Sequence, residues 1–242
     1  MDNNLRAKRA LQALRAADQQ GMGRVAGGMG AEATDRLADL DSCTLSYRTW
    51  SPSLIPGLLQ TDSYTAGAIK SRTPSLDPAE IGHRVTHRRM RSEAFLARRN
   101  SVSSLAWFLI GEQAINRPLM NAHSHAEQLR HLLALGNDYA NVIIQILPAD
   151  TPIPVTAEPF TIFQLDPGPK VGHLESLIGG WYTVAMEDIA RLSGAFSDMV
   201  GRAYSTSESR DFIQEELSRC WGPTTAPSSS SPHTPTPRTA SS

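Results

Sequence analysis

Pro52-Ser53-Leu54-Ile55-Pro56-Gly57-Leu58-Leu59-Gln60-Thr61-Asp62 brings an apolar run, a Pro-Gly turn and a helix cap together in one short stretch. Pro56 fixes its own φ and Gly57 tolerates positive φ, so a sharp turn can form while Leu54, Ile55, Leu58 and Leu59 enter the core. Thr61 or Asp62 is placed to accept hydrogen bonds from the first free N–H groups of a new helix, and Tyr64, Ala68 and Ile69 follow at helical spacing. On its local physics the stretch is structural, its apolar residues being core rather than ligand contacts.

Working outward, Leu45 to Trp50 alternates as a half-buried strand that leads into the turn. Further upstream, residues 3–19 read as a short amphipathic helix, Gly21, Gly23, Gly27, Gly28 and Gly30 as a flexible joint, and the segment through Ala38 and Leu40 as a second short helix. Downstream, Asp77-Pro78 is an N-cap and first-turn pair that opens a long helix to about Arg99, with Gly82 the one breaker. Leu105–Ile110 and Asn141–Pro148 are apolar runs suited to buried strands, separated by a helix from His125 to Leu135 that Gly136 ends.

Phe160–Leu165 and Lys170–Glu175 flank the turn Asp166-Pro167-Gly168-Pro169 as a hairpin would. Ile189, Leu192, Phe196, Met199, Val200 and Ala203 form a helical stripe, and Phe212, Ile213, Leu217 and Trp221 mark a last helix. The Pro-, Ser- and Thr-rich end is expected to be disordered. This order predicts an α+β fold, a small mixed or antiparallel sheet packed by several helices. Its segments are 1–30, a helix and Gly-rich joint, 31–221, the main domain, and 222–242, the tail.

Composition limits the function. The chain has 242 residues, 40% of them hydrophobic, and a formal net charge of -1, so no global basic field drives it onto nucleic acid. Cys43 and Cys220 show neither metal-ligand spacing nor a disulfide framework, which fits a reducing cytoplasm. No stretch approaches the roughly 18 apolar residues that a membrane span needs.

Three constellations can carry chemistry. Arg84, Arg88 and Arg91 share a face of the long helix, with Arg89, Arg98 and Arg99 nearby, and could meet an acidic partner or a phosphate. Glu80 and Glu93 within the same run favour a solvated, internally paired face instead. His83 and His87, with His123 and His125, have the spacing of metal ligands but not the glutamate of the HExxH pattern, so no metal or cofactor is expected. Glu112, Arg117, His173 and Glu175 fall at strand ends where side chains can converge on a ligand, with Gln60 and Tyr182 adding hydrogen bonds; the alternative is a buried Glu–Arg pair that fixes helix against sheet. No catalytic triad order, nucleophile elbow, phosphate loop or dinucleotide fingerprint names a reaction.

The segment Ile55 to Tyr64 resembles the PGLLQT-x-x-Y signature of an effector domain in actinobacterial antitoxin-like transcriptional regulators, the WhiJ-like proteins. Asp77-Pro78-Ala79-Glu80 with Arg84 and Arg88 is similar to a second motif. So are Trp107 through Glu112, Ala114, Arg117 and Pro118, then Gln128 to Leu133 and Val142 to Pro148. Pro159-Phe160-Thr161, Leu174-Glu175 and Gly179-Gly180 also fit, so the likeness covers about residues 31 to 221. It implies a cytoplasmic regulator that binds a small ligand or a small toxin-like protein, with a homodimer left open. The family's helix-turn-helix is not matched among the first forty or so residues, so direct DNA binding is not expected. The alternative is an enzyme of specialised metabolism that reuses the effector pocket, with Glu112, Arg117, His173 and Glu175 as acid–base and anchoring groups.

Overall fold

The computed structural model describes residues 3–17, 24–28, 31–98, 104–152, 158–166, 168–176 and 179–221. They form an α+β fold around one seven-stranded mixed sheet, larger than the small sheet expected. In chain order the elements are α1 (Asn3–Ala17), β1 (Arg24–Gly28), α2 (Ala31–Cys43), β2 (Thr44–Ser51), α3 (Asp62–Arg72) and α4 (Pro78–Ala97). Then come β3 (Leu105–Gly111), α5 (Glu112–Asn116), α6 (Ala122–Asp138), β4 (Val142–Leu147), β5 (Phe160–Leu165), β6 (Lys170–Ser176), β7 (Gly179–Thr183), α7 (Met186–Val200) and α8 (Thr206–Trp221). No helix among the described residues is long and apolar enough to cross a membrane.

The sheet order is β1-β7-β6-β5-β2-β3-β4. β2, β3 and β4 are parallel, while β5, β6, β7 and β1 add on antiparallel to their neighbours. Parallel neighbours need crossovers, and α3 to α6 supply them. Their buried residues Tyr64, Phe95, Ile115 and Leu129 join Tyr47, Phe108 and Ile144 of the strands in the larger core. The opposite face, Trp50, Leu109, Phe160 and Ile162, is covered by Phe196 and Met199 of α7. The stripe from Ile189 is therefore the cover of a second sheet face.

Two expectations about element placement are corrected. The glycine-rich joint contains β1, whose Val25 pairs with Tyr182, so part of residues 1–30 belongs to the sheet. Leu14 of α1 is also buried in the main core. α6 runs through Gly136 to Asp138, because no packing or φ constraint stops it at an exposed glycine. β4 is buried as expected although it is an edge strand; the Ser209 Oγ accepts from Ile146 N at 2.9 Å and Ile146 O accepts from Tyr204 N, so the turn into α8 takes up these backbone groups. The tail expected at 222–242 lies outside the described residues.

The Pro-Gly stretch is built differently from the turn that its residues suggest. Gly57–Leu59 is a single 3-10 turn, with Leu59 N donating to Pro56 O at 2.8 Å, and Gly57 has no positive φ. Leu58 and Leu59 are buried, whereas Leu54 is 37% exposed, in a surface turn where Ser51 Oγ donates to the Leu54 carbonyl. Thr61 is the N-cap of α3, its side chain accepting from Tyr64 N at 3.3 Å. The Tyr64 hydroxyl in turn accepts from Ile55 N at 3.1 Å, which closes the stretch on itself.

Candidate functional site

One row across the inward face of the sheet turns polar. From Ile144 and Phe108 the cross-strand neighbours run Thr49, Thr161, His173 and Tyr182. All four are buried, and Thr49 Oγ1 and Thr161 Oγ1 are hydrogen-bonded at 2.9 Å. The His173 ring lies against that of Tyr182, with centroids 4.6 Å apart. Gly180 makes this possible, because a Cβ there would lie 2.6 Å from His173 Nε2.

Above this row α4 presents arginines, not apolar residues. Phe95 and Ser92 face inward, and the same stripe traced back by three and four residues reaches Arg91 and Arg88. Arg91 donates to Asp41 Oδ2 of α2 through Nε at 3.0 Å and through Nη2 at 2.5 Å. Arg88 Nη1 instead donates to Gln60 Oε1 at 2.7 Å, and among the described residues no carboxylate lies within ion-pair distance of it. Burial, helped by neighbouring Arg91, pushes the Arg88 guanidinium down to about 10. Arg72 of α3 pairs with Glu175 at 2.8 Å and also donates to the Ser176 carbonyl, while Arg36 of α2 stands over the Tyr182 ring at 5.9 Å from its centroid.

Four arginines thus surround two carboxylates, Asp41 and Glu175. Burial holds the His173 imidazole down at about 4 although Glu175 pulls the other way, so His173 is neutral and adds no charge near pH 7. Burial also raises Tyr182, against the opposing pull of Arg36 and Arg91, and keeps its phenol protonated. That hydroxyl is sealed from solvent, with Tyr182 only 1% exposed, and among the described residues it has no hydrogen-bond partner. Such groups are rare and cost roughly 1–3 kcal/mol when nothing pairs with them.

The expected site residues divide into two groups. Gln60, His173, Glu175 and Tyr182 belong to the arginine cluster. Glu112 and Arg117 do not; with Gln113, Asn116, Pro118 and Ala149 they line a separate cleft of about 360 Å³. β3, which leads into Glu112, is three strands from β6 in the sheet, about 14 Å at ordinary strand spacing. Glu112 is committed locally, accepting from Asn116 Nδ2 at 3.0 Å and from Ala149 N at 2.9 Å, which ties the ends of β3 and β4 together.

Placing all six residues around one cavity is therefore corrected: strand ends share an edge of the sheet, but strand order decides which are neighbours. On α4, Arg84 pairs with Glu80 and Arg89 with Asp62, as expected of a solvated face, whereas Arg88 and Arg91 turn inward. Asp41, Arg36, Arg72 and the threonine row were not foreseen from sequence. Only the spacing of Arg88, Arg91, Ser92 and Phe95 carried a usable signal.

The family described as "Domain of unknown function (DUF5753)" matches residues 34–215. The chain belongs to the DUF5753 family. No curated protein and no solved structure matches it. The DUF5753 region holds the whole polar row and every arginine of the cluster, while β1, which borders Tyr182, and α1, which buries Leu14, lie before it.

Proposed function

We propose that this chain is a non-enzymatic regulatory module whose effector site lies between α2, α3 and α4 and the β5–β6–β7 face of the sheet. The observation that carries this reading is the Tyr182 hydroxyl, partnerless among the described residues and buried beneath arginines that outnumber the described carboxylates around them. An interior assembled for stability alone fills such a place with apolar side chains or completes its hydrogen bonds. A ligand that accepts from Tyr182 and brings negative charge supplies what is missing. The resemblance to effector domains of WhiJ-like regulators supports the same reading, as does a cytoplasmic setting for a chain with only two cysteines.

The depth of the site favours a small molecule over a toxin-like protein, which would need exposed side chains. Acid–base chemistry by Glu112, Arg117, His173 and Glu175 finds less support, since Glu112 is bound to Asn116 and Ala149 and Glu175 to Arg72.

A thermal-shift screen of small metabolites against wild-type protein and Tyr182→Phe tests the reading. Compounds that raise the wild-type midpoint and lose that effect in Tyr182→Phe are expected. A screen without hits, or hits that shift both proteins equally, overturns it.

A further inference from the structure

We propose that the effector site takes the anionic end, carboxylate or phosphate, of a small molecule, and that Arg88 captures it by exchanging its bond to Gln60 for one to the ligand. This rests on the effector-site reading above and adds the charge of the ligand and the residue that holds it.

Charge sets the ligand's sign. Arg36, Arg72, Arg88 and Arg91 face Asp41 and Glu175, leaving two cations uncompensated among the described residues. Asp41 is taken by Arg91 and Glu175 by Arg72, which leaves Arg88 as the inward guanidinium whose only strong bond goes to a neutral amide. Arg91 lies within electrostatic reach of both Arg88 and Tyr182, which places the cation and the partnerless hydroxyl in one cluster.

The bond between Arg88 and Gln60 is suited to exchange. A guanidinium bond to a carboxylate or phosphate is roughly twice as strong as a neutral one and is made through two parallel N–H groups. Gln60 loses little when it is released: its Oε1 also accepts from Thr65 Oγ1 at 3.1 Å, and its Nε2 donates to Ile55 O at 2.7 Å. No buried donor or acceptor on Gln60 is stranded. Tyr182, protonated and partnerless, can donate to the same anion.

The turn itself lies against the arginine. The guanidinium of Arg88 lies beside Gly57, where even a Cβ would sit 3.4 Å from Nη1. The Pro-Gly stretch thus forms one wall of the proposed site and Gln60 its exchangeable contact.

Isothermal titration of the full chain with inorganic phosphate and with succinate, at fixed ionic strength against a sodium chloride reference, tests the proposal. At least one of the two is expected to bind, Arg88→Gln to bind it about tenfold or more weakly, a loss of about 1.4 kcal/mol, and Tyr182→Phe also more weakly. Arg84→Ala, which removes a surface cation from the same helix, is expected to leave binding unchanged. If Arg88→Gln does not fold, Arg88→Lys decides, because it keeps the charge and loses the two-pronged geometry; affinity equal to wild type overturns the exchange. Binding of neither anion, or equal binding by Arg88→Gln, overturns the proposal. A neutral compound whose effect depends on Tyr182 but not on Arg88 would remove the anion and leave the effector site standing, whereas no Tyr182-dependent binder of any kind would remove both.

Discussion

Arg88 of α4 donates to Gln60 of the turn after β2 at 2.7 Å, so an arginine-rich helix is fastened to a leucine-rich turn by a neutral acceptor. The bond gives the Pro56-Gly57-Leu58-Leu59-Gln60 stretch a second task. Its leucines fill the core and its glutamine, 9% exposed, faces the arginine cluster.

The Asp41–Arg91 pair is buried, and the Arg72–Glu175 pair is exposed. Breaking a buried pair strands a charge, so Asp41→Asn is expected to cost roughly 3–5 kcal/mol in urea unfolding. Glu175→Gln is expected to cost no more than about 1 kcal/mol. Equal losses would contradict the burial that sets the two pairs apart.

Tyr64→Phe removes the acceptor for Ile55 N and leaves a buried N–H unpaired. The expected loss is roughly 1–3 kcal/mol, although the ring itself stays in place. Chemical denaturation of the two proteins measures it, and a change near zero would mean that another acceptor reaches Ile55.

Two glycines of the site region behave oppositely on substitution by alanine. A Cβ at Gly111 would stand 2.3 Å from the carbonyl oxygen of Pro52, which is backbone and cannot move aside cheaply. Gly111→Ala is expected to lose about 3 kcal/mol. At Gly57 the nearest atom is the flexible Arg88 side chain at 3.4 Å, and φ is not positive, so Gly57→Ala is expected to be within about 1 kcal/mol of wild type. Thermal midpoints of both variants check the contrast.

His173 links stability to pH. Its folded value of about 4 lies below the ordinary 6.5, so between these values the unfolded chain binds the extra proton. Stability is then complete above about pH 6.5 and falls as the pH drops toward 4. Burial depresses His125 and His131 as well, so the wild-type slope has several sources. His173→Phe, which keeps a ring against Tyr182, is expected to flatten the slope of unfolding free energy over that window. Urea titrations at several pH values that give parallel curves would show that His173 is not the source.

Much of the fold was legible because local chemistry specified it. Asp77-Pro78 started α4, with Asp77 Oδ1 accepting from Ala79 N at 2.7 Å, and the apolar runs at Leu105 and Val142 became adjacent parallel strands. β1 and β7 were missed. Both are short and glycine-rich, and pairing with each other and with β6 supplies what their own propensity lacks. The site was partly legible: Gln60, His173, Glu175 and Tyr182 belong to one cluster, while Glu112 and Arg117 line a separate cleft.

By itself the sequence determined most of the longer elements, the caps of α3 and α4 and the apolar stripe of α7, since hydrophobic period and capping residues act within a few positions of the chain. Only the tertiary structure decided that Thr161, His173 and Tyr182 form one row, that Arg88 and Arg91 lie over it, and that among the described residues Asp41 and Glu175 leave two cations unmatched. Those relations depend on strand order and on which helix crosses which strand, and on burial strengthening every charge and exposing every missing partner.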